Sequence, residues 1–158
     1  MIKYGKKVDK IKNNKDAMSI FLEKCKENNL KVTPQRIAIY KELIKSKDHP
    51  SADIVHRRLI KIFPNISLDT VNRTLLTFAK IGISDIVEGS GSPKRFDPNI
   101  GNHHHFRCLN CETIIDFHNA SYDNIEIPDK IREQATIITK KVVLEGYCRK
   151  CGRKSNSL

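Results

Sequence analysis

The sequence predicts an α+β protein, in which a helical N-terminal domain is followed by a small α+β domain that a metal ion closes. Three observations support this prediction. Apolar residues recur at helical spacing in the first half of the chain, short β-branched stretches replace them after Asp97, and two C-x-x-C pairs bracket the second region. The thiols of these pairs belong to Cys108, Cys111, Cys148 and Cys151.

Composition limits the possible partners and the compartment. The 158 residues carry a formal net charge of +11, which favours a polyanion such as nucleic acid as the partner. Residues 1–16 form a basic N-terminal extension without a long apolar run, so neither a secretory signal nor a membrane span is recognisable. We therefore expect a cytoplasmic protein, and in that reducing compartment C-x-x-C pairs bind zinc more often than they form disulfides.

Apolar spacing and capping residues predict the first two helices. The i, i+3, i+4, i+7 pattern of the first helix makes Cys25 a buried small hydrophobe. Thr33-Pro34 is typical of an N-cap followed by proline at the first helical position, and the second helix should end near Ser46. The inward-facing residues are Met18, Phe21, Leu22 and Cys25 in the first helix and Ile37, Tyr40 and Ile44 in the second.

Two more helices and a hairpin complete the first domain. Because His49 precedes a proline, its backbone should be extended, and Ser51 then caps the third helix. Ser67 caps the fourth helix, which Gly82 ends. The inward-facing residues are Ala52, Val55, Leu59, Ile62 and Phe63 in the third helix and Val71, Leu75, Phe78 and Ala79 in the fourth. Strands over residues 84–87 and 94–96, on either side of a Gly/Ser-rich turn, form a wing.

These elements together make a winged helix-turn-helix domain over residues 17–92, with the wing end and a hinge at 93–102. The outer face of the fourth helix would then face DNA, and the candidate contacts are Thr70, Asn72 and Arg73. Residues 103–158 form the second domain, for dimerisation and metal binding. Its predicted strands cover residues 106–108, 113–117 and 136–144, and its predicted helix covers 128–134.

The two C-x-x-C pairs predict a zinc site in the second domain. Each pair brings two sulfurs to one ion from a tight turn, and four thiolates complete a tetrahedral site with no open position. Such a zinc ion is structural, because it ties the start of the domain to its end. A redox pair or a degenerate pair is the alternative interpretation of these cysteines.

A second set of possible ligands consists of imidazoles and carboxylates. His103 and His105 are one residue apart, so on a strand both rings emerge on one face while His104 points to the other. Nitrogen and oxygen ligands favour Fe²⁺, Mn²⁺ or Zn²⁺. Taken singly, each residue of the set also has an ordinary interpretation as a loop, turn or surface residue. The candidate set is His49, Asp97, His103, His105 and Asp116.

Two other classes of protein remain open on these residues. A non-haem iron oxygenase also uses two histidines and a carboxylate, although five candidate ligands leave little room for a co-substrate. A zinc-ribbon scaffold that binds RNA or protein would explain the cysteines but would leave the His/Asp set without a role. Turnover of an organic substrate would support the enzyme, whereas metal-dependent operator binding would support a repressor.

Seven stretches of the chain resemble the ferric uptake regulator (Fur) superfamily of repressors, over about residues 20–152. In the family's order they are V-T-P-Q-R (32–36), H-P-S-A-D (49–53), F-P-N-I-S (63–67), R-F-D (95–97), H-x-H-x-x-C-x-x-C (103–111), I-D-F (115–117) and G-Y-C-x-x-C (146–151). The chain looks most like the peroxide-sensing branch, PerR. The iron-uptake branch usually has glutamate at the position of Asp116 and a further downstream histidine, which residues 139–142 lack.

The resemblance implies a homodimeric, metal-dependent repressor that binds double-stranded DNA at an A/T-rich inverted repeat. It implies peroxide sensing through iron-catalysed oxidation of a ligand histidine, at His49 or His103. It assigns a structural Zn²⁺ to the four cysteines and a regulatory Fe²⁺ or Mn²⁺ to the His/Asp set. The alternative within the family is an iron-responsive uptake repressor without peroxide sensing. Asn72 departs from the family's usual Thr-Val-Tyr-Arg in the recognition helix, which bears on the operator sequence.

Overall fold

The computed structural model describes residues 14–87 and 93–155, which divide into two compact units on either side of the Ile100–Gly101 bond. Residues 1–13 of the predicted extension and the turn of the predicted wing lie outside the described residues. In the first unit the elements are α1 (Asn14–Glu27), α2 (Pro34–Lys45), α3 (Ala52–Leu59), α4 (Leu68–Lys80), β1 (Asp85–Val87) and β2 (Arg95–Asp97). In the second they are β3 (His104–Cys108), β4 (Ile114–Phe117), α5 (Ala120–Asp123), α6 (Asp129–Arg132), β5 (Val143–Gly146) and α7 (Arg149–Ser155).

The first unit is built around one apolar core to which all four helices contribute. The rings of Phe21 and Tyr40 stack with centroids 4.5 Å apart, and Phe78 meets both rings edge-on. Cys25 is fully buried in this core, as its place in the apolar pattern predicts. Burial also raises the pKa of the Cys25 thiol, which keeps it in the neutral form.

The predicted helix caps are confirmed. Side-chain oxygens of Thr33, Ser51 and Ser67 accept hydrogen bonds from backbone N–H groups three residues further along. Gly82 follows α4 with φ +75°, a left-handed conformation that glycine adopts without steric cost. One boundary was wrong: α3 ends at Leu59, and Ile62, which was predicted to face inward, is 68% exposed.

Strands β1 and β2 pair antiparallel, with Asp85 opposite Asp97, and they confirm the two predicted strands of the wing.

The second unit holds a three-stranded sheet in the order β4-β3-β5, in which β3 is antiparallel to β4 and parallel to β5. The predicted strand over 136–144 was wrong before Val143. Its β-branched residues favour a strand, but within the described chain the register with β3 begins at Val143, and the Val142 carbonyl accepts from His105 N–H at 3.1 Å. Helices α5 and α7 were not predicted.

The second unit has little apolar core of its own. Among its described residues only the apolar side chains of Cys108 and Ile114 are buried. The large apolar residues that it exposes are Leu109, Ile115, Ile125, Ile131, Ile137, Ile138, Leu144 and Tyr147. A small unit with so little buried apolar surface needs a metal ion or a covering partner for stability. None of the helices within residues 14–87 and 93–155 combines the length and hydrophobicity that crossing a bilayer requires.

Candidate metal centres and nucleic-acid interface

The structure brings the four predicted cysteine thiols together in the second unit. Their Sγ atoms all lie within 4.8 Å of one another, and those of Cys111 and Cys148 are 3.7 Å apart. Sulfurs at the corners of a tetrahedron around zinc, at a Zn–S distance of about 2.3 Å, lie about 3.8 Å apart. The arrangement therefore fits one zinc ion with a closed set of thiolates.

Sheet register and two tight turns position these thiols. Cys108 ends β3, and the N–H of Glu112, a residue at φ +58°, donates to the Cys108 carbonyl at 2.9 Å. The second pair lies at the start of α7, where the N–H of Cys151 donates to the Cys148 carbonyl at 2.9 Å. A hydrogen bond of 2.7 Å from Leu109 N–H to the carbonyl that ends β5 joins the two turns. Each turn brings the two thiols of one C-x-x-C pair together, and the β3–β5 register brings the two pairs together.

The surroundings favour ionisation of some of these thiols, but they favour ionisation of all four only if a cation is present. Hydrogen bonds from the backbone N–H groups of Cys111 and Cys148 lower the pKa of Cys108 to about 6. The pKa of Cys111 is lowered too, first by its hydrogen bond with the Thr113 hydroxyl. The Asn110 amide, 3.3 Å away, lowers the pKa of Cys151, but burial and the neighbouring thiols outweigh it and raise that pKa to about 11. Four crowded thiols cannot all ionise without a counter-charge, which a divalent metal supplies.

Three members of the predicted His/Asp set converge within the second unit. The Nε2 atoms of His103 and His105 are 3.0 Å apart, and the Asp116 carboxylate lies 4.0 Å from the first and 3.4 Å from the second. Adjacent ligands around a six-coordinate ion at about 2.1 Å also lie about 3.0 Å apart. The Nδ1 of His103 lies 2.7 Å from the Gly101 carbonyl, which favours a proton on Nδ1 and leaves Nε2 for a metal.

His104 faces the other side of the sheet, as strand alternation predicts. Its Nδ1 accepts a hydrogen bond from Val142 N–H at 3.3 Å, and its Nε2 lies 3.2 Å from the Asp123 carboxylate. Asp123 in turn accepts from the Asn102 amide at 2.5 Å. His104 therefore has contacts separate from those of His103 and His105, and its buried Nε2 forms no hydrogen bond with the described residues.

The other two members of the set lie in the first unit. The Nε2 of His49 is 3.6 Å from the Asp97 carboxylate, and both side chains are buried. The prediction of an extended backbone at His49 was wrong, because the residue has φ +47°. That left-handed conformation is uncommon for a residue with a Cβ and costs about 1–2 kcal/mol. A buried imidazole beside a carboxylate is a mixed nitrogen and oxygen ligand pair that suits Fe²⁺, Mn²⁺ or Zn²⁺.

The predicted DNA-contacting residues lie on α4. Arg73 is exposed and forms a 3.4 Å ion pair with Asp69, one turn earlier, while Thr70 and Asn72 are half-buried. The inner face carries Val71, Leu75 and Phe78, as predicted, and also Thr74, which the apolar pattern did not include. Packing on one face leaves the opposite face of α4 available for a partner.

Sequence reasoning missed the residues that support these sites. Asn110 and Thr113 contact cysteine sulfurs, and Arg95 contacts the backbone at His49. The feature of the sequence that could have identified Asn110 and Thr113 is their proximity to a C-x-x-C pair. For Arg95 it is the position two residues before Asp97 in the R-F-D motif.

Comparison with known proteins agrees with this architecture. A family model described as the ferric uptake regulator family matches residues 27–147. The peroxide-responsive repressor PerR of Staphylococcus epidermidis is 35% identical over 127 residues, covering 80% of this chain and 85% of the relative. The peroxide operon regulator of Bacillus subtilis is 33% identical over 135 residues, covering 85% and 93%. The solved structure of the Helicobacter pylori ferric uptake regulator Fur has a TM-score of 0.75 at 23% identity, covering 92% and 97%, and shows the shared fold.

A winged helix-turn-helix unit joined to a small metal-binding unit defines the class of metal-responsive DNA-binding repressors. The chain belongs to the ferric uptake regulator family. Fur and PerR proteins are dimeric DNA-binding repressors that bind a structural zinc ion and a regulatory iron or manganese ion. The predicted fold class is therefore confirmed, and the relatives of this chain are transcriptional regulators rather than enzymes.

Proposed function

We propose that this chain is a repressor that senses hydrogen peroxide through a regulatory ion bound by the His/Asp set. The observation that carries the proposal is the convergence of two imidazole nitrogens, 3.0 Å apart, on the Asp116 carboxylate. His103, His105 and Asp116 leave a six-coordinate ion short of ligands, and His49 with Asp97 would supply two more. Five protein ligands leave one coordination position for a small oxidant.

Binding of the regulatory ion would be coupled to DNA binding if the ion binds the DNA-competent conformation of the chain more tightly than its other conformations. The bound ion then selects that conformation. In a dimer the two α4 helices would enter major grooves about 34–36 Å apart, which suits an inverted repeat, A/T-rich by resemblance. Thr70, Asn72 and Arg73 would then face the DNA.

The chemistry proposed for the sensing step is oxidation of a ligand histidine. When Fe²⁺ is bound, it supplies the one-electron cleavage of peroxide beside the imidazoles. Overall, one molecule of peroxide takes two electrons from the ring: a ring C–H of His49 or His103 becomes C–OH, so the residue gains one oxygen atom, and the second peroxide oxygen leaves as water. An oxidised ring is a poorer ligand, so the ion and then the operator are released.

Two further observations support the peroxide branch. The relatives that match most of the chain include proteins named as peroxide-responsive regulators. The carboxylate on β4 is the aspartate Asp116, whereas the iron-uptake branch usually has glutamate there, and residues 139–142 contain no histidine. The second candidate function is an iron-responsive uptake repressor, which shares the fold and the zinc site.

The two candidate functions can be distinguished by comparing histidine oxidation in the Fe²⁺-loaded and the Mn²⁺-loaded protein. Protein loaded with Fe²⁺ and given a small excess of hydrogen peroxide should gain one oxygen atom on His49 or His103 and lose operator binding. Protein loaded with Mn²⁺ should bind the operator and keep its histidines unmodified, because Mn²⁺ does not readily cleave peroxide in this way.

Fragment-ion mass spectrometry locates the added oxygen, and the chain contains its own controls. His104 adjoins both candidate ligands but faces the other side of the sheet, and exposed His118 lies beside His103 with ring centroids 6.1 Å apart. Oxidation confined to His49 or His103 supports the proposal. Unmodified ligands with DNA binding intact in the iron form would assign the chain to iron-responsive repression. If His104 and His118 are oxidised to the same extent as His49 or His103, peroxide acts from solution rather than at the site.

A further inference from the structure

Two arginines from different elements hold the loop that carries His49. Arg95, the first residue of β2, donates from Nη2 to the Asp48 carbonyl at 2.6 Å and from Nε to the His49 carbonyl. Arg58, at the end of α3, donates to the Asp48 carboxylate at 2.7 Å and to the Ser46 hydroxyl at 3.0 Å. Arg95 contacts the two backbone carbonyls that flank the Cα of His49, whereas Arg58 contacts side chains.

Strand β2 holds the His49 backbone and also presents the neighbouring ligand. The N–H of Phe96 donates to the Pro50 carbonyl at 3.0 Å, so the strand runs beside the loop. Two residues after Arg95, the same strand ends at Asp97, whose carboxylate is 3.6 Å from His49 Nε2. The position of Arg95 therefore sets both the backbone of His49 and the approach of its carboxylate partner.

His49 needs such a contact because its backbone departs from the local preference. A residue before proline favours an extended conformation, yet His49 has φ +47°. Residues with a Cβ keep a left-handed conformation only where surrounding contacts determine it. The planar guanidinium of arginine can donate to two neighbouring carbonyls at once, whereas the single ammonium of lysine has no such fixed fork.

We infer that Arg95 is a positioning residue for the regulatory ion: its guanidinium holds the Asp48 and His49 carbonyls and so presents the His49 imidazole to the metal beside Asp97. The inference rests on the proposed role of His49 as a ligand. Arg95 acts through His49 and does not itself bind the ion.

The test compares Arg95→Lys with Arg58→Lys in the full-length, zinc-loaded protein, by calorimetric titration with Mn²⁺. Loss of a residue that orients a ligand typically weakens metal binding about 10–100-fold, and this loss is expected for Arg95→Lys. Arg58→Lys perturbs the same loop through a partly exposed ion pair, and its loss should stay below about fivefold. Equal losses in the two variants would show that only general loop stability matters, and would overturn the inference.

A double-mutant cycle with His49→Ala separates positioning from a purely structural role. If Arg95 acts through His49, then Arg95→Lys should weaken Mn²⁺ binding in the wild-type background and have little further effect once the imidazole is gone. The same loss in both backgrounds would contradict positioning. Unchanged Mn²⁺ affinity in His49→Ala alone would instead refute the proposed ligand role, so the two failures are distinguishable.

Zinc content and thermal unfolding without Mn²⁺ are measured on every variant. Arg95→Lys should keep its zinc, because the cysteines lie in the other unit. A second substitution, Arg95→Gln, retains an amide that can reach only one carbonyl and should show the same loss of Mn²⁺ affinity. Wild-type affinity in Arg95→Gln would overturn the inference even if Arg95→Lys proved too unstable to measure.

Discussion

Replacing Cys148 and Cys151 together by serine should unfold the second unit, because the change removes the cross-link between the ends of that unit. Cys111 and Cys148 are 37 positions apart. Closing a loop of that length in the unfolded chain corresponds to about 4 kcal/mol of stability, if zinc acts as a cross-link in the way a disulfide does. For a small unit, each kcal/mol shifts the melting temperature by about 4–8 °C, so the expected loss exceeds about 15 °C.

Little else in the second unit offsets that loss. Its buried apolar side chains among the described residues are those of Cys108 and Ile114, and its remaining large apolar groups are exposed or half-exposed. A dimer that depends on the folded unit should therefore dissociate when the cross-link is lost. Single replacement of Cys108 or Cys148 by serine should give the same result more weakly, since three thiolates still reach across the loop.

Three measurements check this prediction: zinc per chain by native mass spectrometry, thermal unfolding by circular dichroism, and oligomeric state by sedimentation velocity. The matched control is Cys25→Ala, which removes a thiol that is buried in the first unit. That variant should keep its zinc and its dimer. The smaller alanine side chain leaves a small cavity, which should lower the stability of the first unit somewhat. A stable, zinc-replete dimer after the double replacement would refute the assignment of a structural zinc to these cysteines.

Two further predictions concern the regulatory set and the recognition helix. Asp97→Ala and His105→Ala should retain zinc and dimer but lose Mn²⁺-stimulated operator binding, measured by fluorescence anisotropy, whereas Asp85→Ala, opposite Asp97 in the wing hairpin, should keep it. Equal operator affinity of the wild-type protein with and without Mn²⁺ would argue against a metal switch. Asn72→Tyr should change the sequence preference in a randomised operator library more than the affinity for non-specific DNA, because asparagine pairs with adenine at about 1–3 kcal/mol of discrimination. An unchanged preference would mean that Asn72 does not read bases.

The helical unit could be predicted from sequence because its signals are local. The caps at Thr33, Ser51 and Ser67 each depend on a hydrogen bond to a residue three positions away, and all three form. The start of β5 at Val143, rather than at residue 136, could not be predicted in the same way. The β-branched residues of 136–142 have the propensity for a strand, but a strand also needs a neighbour, and the β3–β5 register decides where pairing begins.

The same distinction applies to the metal centres. The spacing within each C-x-x-C pair is a local property, so the sequence alone identifies the four thiols, whereas their meeting depends on the contact of Leu109 with the end of β5. The alternation of His103 and His105 on a strand is also local, and the structure places both rings on the Asp116 side. Which residues orient the ligands is not a local property. Asn110 contacts Cys151 across 41 positions of sequence.

His49 shows why the local rule failed where the candidate site lies. A proline follows it, and on that evidence alone an extended backbone is the correct expectation. Arg95, 46 positions later, reaches the His49 carbonyl, and the strand that begins at Arg95 also brings the Asp97 carboxylate to the imidazole. A strained backbone persists only when contacts from elsewhere in the fold determine it. The departure from the local rule is thus itself evidence of long-range contacts at His49, and those contacts come from the strand that carries the other candidate ligand of this unit.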